Sequence, residues 1–283
     1  MKRKIFEFAG FFALRTCLYI VLAILLLFLY DIGRKGAGVI SWEFLSQVPR
    51  RGMTEGGIFP ALFGTFLVTT VTAVLAVPFG IFAAIYLNEY AYQNRITRFI
   101  RLSIRNLSGV PSIVYGLFGV ILFINVLHFG TSLLSAGLTL GLMTLPWTIT
   151  ASEEALKTIP NSYREGSLAL GATKWQAIRT NVLPYAMPGM LTGIVLGLAR
   201  AAGETAPIMF TGAAFYLPIL PKSLSDQFMA LPYHLYIMAT QHHAIAQVTP
   251  IAYGTALVLL GLIILLNLSV FIIRYRLRRI KRE

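Results

Sequence analysis

The sequence predicts an all-α integral membrane protein with six transmembrane helices. Hydrophobic residues make up 57% of the 283 residues and charged residues only 12%, and the mean hydropathy is +0.72. Soluble domains carry about 25% charged residues because their surfaces face water. Apolar runs here alternate with short charged or Pro/Gly-rich segments, and about 20 apolar residues suffice for a helix to cross a bilayer. We therefore expect a helical bundle in lipid.

The first apolar run covers residues 18–30 and follows three basic residues at positions 2–4. A cleaved signal peptide and a retained first span share this pattern. The small residues at positions 36–38 lie too far from the run to form a good cleavage site, so we expect the span to be retained. The orientation of the later spans is the same in both cases.

Five further spans are predicted at residues 59–87, 107–127, 133–149, 184–210 and 251–273. With both termini cytoplasmic, 18 of the 24 lysines and arginines lie inside and five outside, and Arg200 lies within a span. This bias is the positive-inside pattern of a multi-pass inner-membrane protein. It explains the net charge of +13 without a nucleic-acid partner.

No disulfide or metal site is predicted. Cys17 is the only cysteine, so no disulfide can form within the chain. The histidines lack the spacing of metal ligands and are expected to be ordinary loop residues: His128, His234, His242 and His243.

The fifth span carries small residues at every fourth position. Gly189, Gly193, Gly197 and Ala201 would leave a flat stripe on one helix face. Such a stripe lets a neighbouring helix backbone approach closely. We expect a tightly packed helix pair at these glycines.

Residues 150–183 are expected to form a structured cytoplasmic loop. Ser162 and Glu165 have the spacing of a capping box, which predicts a helix that begins at Ser162. Gly171 predicts its end, because glycine adopts the left-handed conformation that closes helices. Thr173 and Gln176 repeat the capping box and predict a second helix.

The first of these helices is suited to docking into a groove on a partner. It carries Leu168 and Leu170 in an otherwise polar stretch, and recognition of a short helix in a groove depends on such apolar anchors. A structured connector that binds no partner is also compatible with the pattern.

Residues 165–184 resemble the EAA loop of bacterial ABC importer permeases, whose helix docks into the ATPase subunit. The spacing matches, although Gly166 and Ser167 replace the motif's two alanines and Asn181 replaces its isoleucine. The resemblance implies a role in ATPase coupling for a set of loop residues: Ser162, Arg164, Glu165, Gly166, Ser167, Leu168 and Gly171.

Four other segments resemble the A-type permease subunit of phosphate-specific ABC transporters. They are residues 56–60, 111–119, 200–207 and 230–234, and the resemblance covers nearly the whole chain. It implies a six-span type I importer permease of MetI-like fold in a bacterial inner membrane. Residues 1–58 would form the first span and an external loop, and residues 59–283 the permease core.

The resemblance also implies three partners. These are a homologous C-type permease, two copies of a cytoplasmic ATPase and an external phosphate-binding protein. The chain contains no G-x-x-x-x-G-K-[ST] sequence, which is the phosphate-binding loop of many ATPases. We therefore expect ATP and its magnesium ion to be used by the separate ATPase, and this chain to be no enzyme and to bind no cofactor.

Arg200 and Glu204 lie four residues apart in the fifth predicted span, on one helix face. A charge in hydrocarbon costs about 2.5 to 3.5 kcal/mol on insertion scales, so the pair should face the bundle interior or water. It could be a structural ion pair. Alternatively, Arg200 offers its guanidinium to a passing oxyanion, while Glu204 orients it or accepts a proton from hydrogen phosphate. Thr205 is assigned to the same pathway, and Pro207 is expected to kink the helix there.

Other functions remain open at this point. The chemistry of Arg200 suits any small oxyanion. A proton-coupled secondary transporter could use Glu204 as its proton site, but the internal repeats of such folds are not found. An intramembrane enzyme is disfavoured because the chain has no H-E-x-x-H, no G-x-S-x-G and no close pair of intramembrane carboxylates.

Overall fold

The computed structural model describes the backbone of residues 2–280, which is almost entirely helical. Five long helices have the length and apolar character to cross a membrane: α1 (Lys2–Ala37), α3 (Phe59–Ile85), α6 (Leu133–Lys157), α9 (Leu183–Ala202) and α12 (Ile245–Ile280). Shorter helices join them: α2 (Trp42–Ser46), α4 (Arg95–Leu107), α5 (Ser112–Gly119), α7 (Ser162–Ala169), α8 (Lys174–Ala177), α10 (Ala206–Thr211) and α11 (Leu231–Thr240).

π-helical turns lengthen three of these helices. Tyr86–Tyr90 extends α3, Val120–Val126 extends α5, and Ile178–Val182 joins α8 to α9. A small antiparallel hairpin of β1 (Pro49–Arg50) and β2 (Glu55–Gly56) precedes α3.

The third span differs from its prediction at residues 107–127. The chain first forms α4 and then bends by 101° before the helical segment Ser112–Val126. Pro111 precedes α5 in an extended conformation, and the residue has no N–H with which to continue α4. The arginines of α4 recur on one side of the helix, so that side cannot enter hydrocarbon. The third span is thus one half of a bent helix pair, of which only the second part, Ser112–Val126, is apolar throughout.

The fifth span also differs from its prediction at residues 184–210. Helix begins earlier, at Lys174, and runs through the π-turn to Ala202. It then stops at Gly203, and α10 starts afresh with Pro207 in its first turn. The expected kink at Pro207 is therefore wrong: the helix is broken between residues 202 and 206, before the proline.

Helix α6 is the centre of the bundle and packs closely against α3 and α9. A β-carbon on Gly189 would lie 3.0 Å from the Cβ of Ala155, and one on Gly197 would lie 3.3 Å from Cγ2 of Thr144. Between them, Gly193 lies against Ala151, and Gly80 of α3 lies against Thr148 on the same face of α6. Because lipid tails are as apolar as the helices, this close backbone packing supplies much of the association between spans.

The helix directions define two ends of the bundle. Helices α3 and α6 both run toward residues 158–173, which we call the coupling end, and α9 runs away from it. Near the start of α12, Lys35 Nζ at the end of α1 donates to Tyr253 Oη at 3.2 Å. This contact places residues 37–58 and 212–244 at the opposite end.

Two histidines at the opposite end are not ordinary loop residues. His234 lies within α11 and is fully enclosed, and burial lowers its pKa to about 4, with a smaller contribution from His242. His242 is also buried, and its Nε2 lies 2.7 Å from the carbonyl oxygen of Gly52 at the hairpin tip. The predicted loop histidines therefore include one side chain that fastens the hairpin to α11. Among the described residues, no three histidine, cysteine, aspartate or glutamate side chains are grouped so as to hold a metal ion.

Close packing of α9 on α6 predicts that Gly193→Leu destabilises the chain. The added side chain must displace α9, and overpacking costs about 1–3 kcal/mol, which corresponds to a loss of roughly 5 °C in melting temperature. Gly261→Leu is the matched control, because nothing lies within 4 Å of its β-carbon position on α12. Thermal unfolding of the purified variants in detergent measures the difference. Equal melting temperatures would contradict this packing.

Candidate functional site

The loop at the coupling end contains the predicted helix, which begins at Ser162 as expected, but the predicted capping interaction is absent. Asn161, in helical conformation, is the N-cap residue of α7, and no side chain caps the helix. Instead, Pro160 starts a turn whose carbonyl accepts from Tyr163 N–H, while Asn161 C=O accepts from Glu165 N–H. The capping box predicted for Ser162 and Glu165 is therefore wrong, because the turn already places Ser162 inside the helix.

The C-terminus of α7 follows the prediction. Gly171 adopts φ = +83°, which costs little for glycine and strains other residues. Its N–H donates to Leu168 C=O at 3.0 Å, and Ala172 N–H donates to Ser167 C=O at 3.1 Å. This pair of bonds is a Schellman motif. The second capping box is also confirmed, because Thr173 and Gln176 bond reciprocally at the start of α8.

Two departures from the EAA pattern contact each other. Asn181 Nδ2 donates to Ser167 Oγ at 2.6 Å, and Ser167 Oγ donates to Tyr163 C=O at 2.9 Å. Ser167 is buried. The motif's alanine and isoleucine are thus replaced here by a hydrogen-bonded pair that holds α7 against the turn before α9.

Arg164 fastens α7 to the end of α3. Its Nη2 and Nε lie 2.7 Å and 3.0 Å from the two carboxylate oxygens of Glu89, and Nη1 donates to Ile159 C=O at 2.8 Å. The Glu89 side chain is 5% exposed and that of Arg164 is 18% exposed. A forked arginine–carboxylate pair fixes orientation as well as distance. The sequence contained no signal for this pairing, since the two residues are 75 positions apart.

A second ion pair joins α4 to α6 at the same end. Arg101 Nε lies 2.7 Å from Glu153 Oε1, in a close ion pair without the alignment of a hydrogen bond. Lys157 Nζ lies 3.2 Å from the same oxygen. Arg101 also donates to Leu87 C=O at 2.7 Å. The ends of α3 and α6 are therefore tied to α4 on one side and to α7 on the other.

The outward side of the loop is apolar and open. Leu170 is 90% exposed, and Leu168, Trp175 and Tyr163 are also exposed. Ser162, Glu165 and Gly166 are exposed on the same short helix. A cavity of about 470 Å³ lies beside α7 and is lined by charged side chains that include Glu89, Lys157, Arg164, Glu165 and Lys174. An exposed apolar helix next to a charged cavity is a surface suited to a protein partner.

Arg200 and Glu204 form the other candidate site, at the break after α9. Arg200 Nε lies 3.4 Å from Glu204 Oε1, and the guanidinium carbon lies 5.3 Å from the ring centre of Trp147 on α6. The Arg200 side chain is 50% exposed and that of Glu204 is 17% exposed. The carboxylate contact is long and single, so much of the guanidinium fork remains free to bind an anion.

The helix break lies beside these charges. Glu204 and Thr205 lie between α9 and α10 and are partly buried. The two residues were predicted to lie on one continuous helix. In the structure, Arg200 belongs to the last turn of α9, and Glu204 follows the end of that helix. Half-helices that end inside a membrane are tolerated where they line a cavity or are covered by protein.

The sequence model of the family described as "Binding-protein-dependent transport system inner membrane component" matches residues 76–282. This range covers the coupling loop and the break that holds Arg200. The chain belongs to this family. Its members are membrane components of transporters, and this chain is accordingly a multi-pass membrane protein with a type I importer permease fold.

Two curated relatives are similar over most of their length. The phosphate transport system permease protein PstA 1 of Mycobacterium tuberculosis is 38% identical over 222 residues, covering 78% of this chain and 71% of the relative. The probable phosphate transport system permease protein PstA of Methanocaldococcus jannaschii is 33% identical over 262 residues, covering 91% and 89%.

A solved structure has the same fold. A chain of a bacterial ABC transporter involved in the import of the acidic polysaccharide alginate aligns with a TM-score of 0.68 at 14% identity, covering 94% of this chain and 96% of that one. At this identity the similarity concerns the fold alone.

The Glu89–Arg164 pair predicts a strong energetic coupling between α3 and α7. Each single variant, Glu89→Gln or Arg164→Gln, leaves a largely buried charge unpaired, so the double variant should lose about 1–3 kcal/mol less stability than the sum of the singles. Unfolding of the purified variants by SDS in mixed micelles measures the three free energies.

The exposed pair Arg51–Glu55, at 2.6 Å with side chains 77% and 53% exposed, is the control for this cycle. Exposed ion pairs contribute about 0–1 kcal/mol, so the same cycle there should give a coupling near zero. A Glu89–Arg164 coupling as small as that of the control pair would show that the contact does not hold the loop.

Proposed function

We propose that this chain is the transmembrane permease subunit of an ATP-driven phosphate importer and forms half of its translocation pathway. The observation that carries the proposal is the loop at the coupling end. It is a short helix with an exposed apolar side, held to the end of α3 by a forked ion pair and to the end of α6 by hydrogen bonds from Arg164. A membrane protein of this family needs such a rigid contact to receive work from another chain. Phosphate as substrate is supported by the names of the relatives at 33–38% identity.

The loop surface would be the docking site of a cytoplasmic ATPase dimer. Leu168 and Leu170 would enter a groove on that subunit, while Glu165 and Lys174 would contact its rim. The ATPase would bind ATP and magnesium, and this chain would need no cofactor. The coupling end, and with it both termini, would then be cytoplasmic, which agrees with the placement of the basic residues.

The opposite end would face an external phosphate-binding protein, and the half-exposed side of Arg200 would face a homologous C-type permease across the pathway. Arg200 keeps a fixed positive charge at the broken helix, with the Trp147 ring and Glu204 beside it. Guanidinium groups bind tetrahedral oxyanions through paired N–H donors. Glu204 would orient Arg200 or accept a proton from hydrogen phosphate, a donor that sulfate lacks.

Gly171→Val tests the coupling role of the loop. Valine at φ = +83° strains the end of α7 by on the order of 1–2 kcal/mol, so co-purification with the ATPase and phosphate uptake should fall by about tenfold while the chain still inserts. Gly130→Val is the matched control, because Gly130 also has positive φ and open space around its β-carbon, but at the other end of the bundle. Equal losses in the two variants would assign the effect to strain alone and remove the loop from coupling.

Paired substitution of Arg200 and Glu204 separates an ion pair from an anion contact. If the pair is structural, removing both charges should largely restore the fold and transport. If Arg200 serves the anion, the double variant Arg200→Gln, Glu204→Gln should assemble yet lose uptake more than tenfold, because the pathway lacks its positive charge. Arg200→Lys should be impaired, since it keeps the charge and loses the fork.

The measurement is uptake of radiolabelled phosphate by cells that lack the native chain, with sulfate as competitor. We expect no competition by sulfate. Near-normal uptake by a well-expressed double variant would exclude the anion contact. Loss of sulfate uptake, with phosphate uptake unchanged, in cells without this chain would exclude phosphate as the substrate.

A further inference from the structure

Helix α4 lies across the direction of the third span. Its axis meets that of the segment Ser112–Val126 at 101°. If a helix crosses a bilayer near the normal, a neighbour at a right angle to it lies in the membrane plane. Arg101 ties α4 to Leu87 C=O and to Glu153, so this helix lies at the level of the coupling end, where spans α3 and α6 finish.

One side of α4 is held by the protein. Thr97 is buried, and its hydroxyl donates to Tyr92 C=O at 2.7 Å. Arg101 is mostly covered by its contacts with α3 and α6. These residues are four apart and therefore share a face. Of the other residues of α4, Ser103 and Ile104 are partly buried and the rest are exposed.

An apolar side of α4 faces outward. Ile96 and Phe99 are 69% and 68% exposed, and Ile100 and Leu107 are also exposed. Spacings of three, four and seven residues place these side chains on one stripe. The next helix continues with exposed Ile113, so the open apolar surface does not end with α4.

A basic side lies opposite most of that stripe, with Arg95 at its border with Phe99. Arg95, Arg98 and Arg105 are exposed, at spacings of three and seven residues. Within residues 2–280, no described carboxylate lies within ion-pair distance of these three guanidinium groups, whereas Arg101 is paired. Three unpaired positive charges on one side and an apolar stripe on the other match a partner that is negative at its surface and apolar beneath it.

We propose that α4 is a docking surface for anionic phospholipids, with Arg95, Arg98 and Arg105 on the headgroups and the apolar stripe at the acyl boundary. A helix lying in the interface buries its apolar side about 5–10 Å into this boundary. The charge complementarity and the right-angle bend from a span fit a membrane surface better than a soluble partner. Through Arg101 and Glu153, which also pairs with Lys157, the lipid contact is linked to the start of the coupling loop.

Local lipid enrichment tests this inference. In a Cys17→Ser background, Ile96→Cys carries a bimane fluorophore, and the full-length chain is purified in its native membrane assembly and reconstituted. Brominated phosphatidylglycerol and brominated phosphatidylcholine are compared as quenchers at equal mole fractions. Each arginine near an anionic surface should favour binding about fivefold, so we expect a preference for phosphatidylglycerol of at least fivefold.

The variant Arg95→Gln, Arg98→Gln, Arg105→Gln should reduce that preference to near one. Arg50→Gln, Arg51→Gln, Lys222→Gln removes the same charge from the opposite end and should leave it unchanged. If the α4 triple variant fails to assemble, the single variant Arg98→Gln is measured in its place. Its preference for phosphatidylglycerol should fall by about fivefold.

Four outcomes would overturn the inference. Equal quenching by the two lipids would show that α4 has no headgroup preference. A preference for phosphatidylglycerol that persists in the arginine variant would show that these arginines do not cause it. Absence of quenching by either lipid would show that a protein subunit covers α4. Loss of the preference in inorganic phosphate, against chloride of equal ionic strength, would assign the arginines to a free anion.

Discussion

The close approach of α6 to α3 and α9 is the constraint on which the rest of the structure depends. Glycines at the contacts, such as Gly80 and Gly193, leave no room for a side chain. Lipid tails cover apolar helix surface as favourably as another helix does, so apolar surface alone does not select a neighbour. The close packing at the glycines therefore decides which helices are neighbours. The same packing fixes which residues of α6 meet the two groups of arginines. The Trp147 ring lies against the Arg200 guanidinium, and Glu153 pairs with Arg101 of α4.

The coupling end is stiffened by charges that the helix packing brings together. Glu89 and Glu153, at the ends of two neighbouring spans, each receive an arginine from a different segment. Such largely buried pairs add little net stability relative to apolar contacts, but they require a particular geometry. A loop held in this way can transmit displacement to α3 and α6, which is what a permease driven by another subunit needs.

Both groups of arginines that we propose to be functional lie at interruptions of regular helices. The break at Gly203 leaves Arg200 at a helix end with a guanidinium that is half exposed, and the bend before α5 turns α4 out of the span direction. In both places a proline follows the interruption, Pro207 and Pro111. In a continuous apolar helix these arginines would lie within the hydrocarbon, where a charge is costly. The interruptions allow them to lie at its border instead.

The sequence by itself determined the membrane location, the approximate spans, the glycine stripe and the helix closed by Gly171, because apolar content and glycine conformation are local properties. Tertiary structure decided the Glu89–Arg164 and Asn181–Ser167 contacts, the cap of α7 and the position of the helix breaks. These depend on residues distant in sequence or on competing turns, such as that of Pro160, which hydropathy and motif spacing do not encode. Only the packed bundle brings such groups within bonding distance.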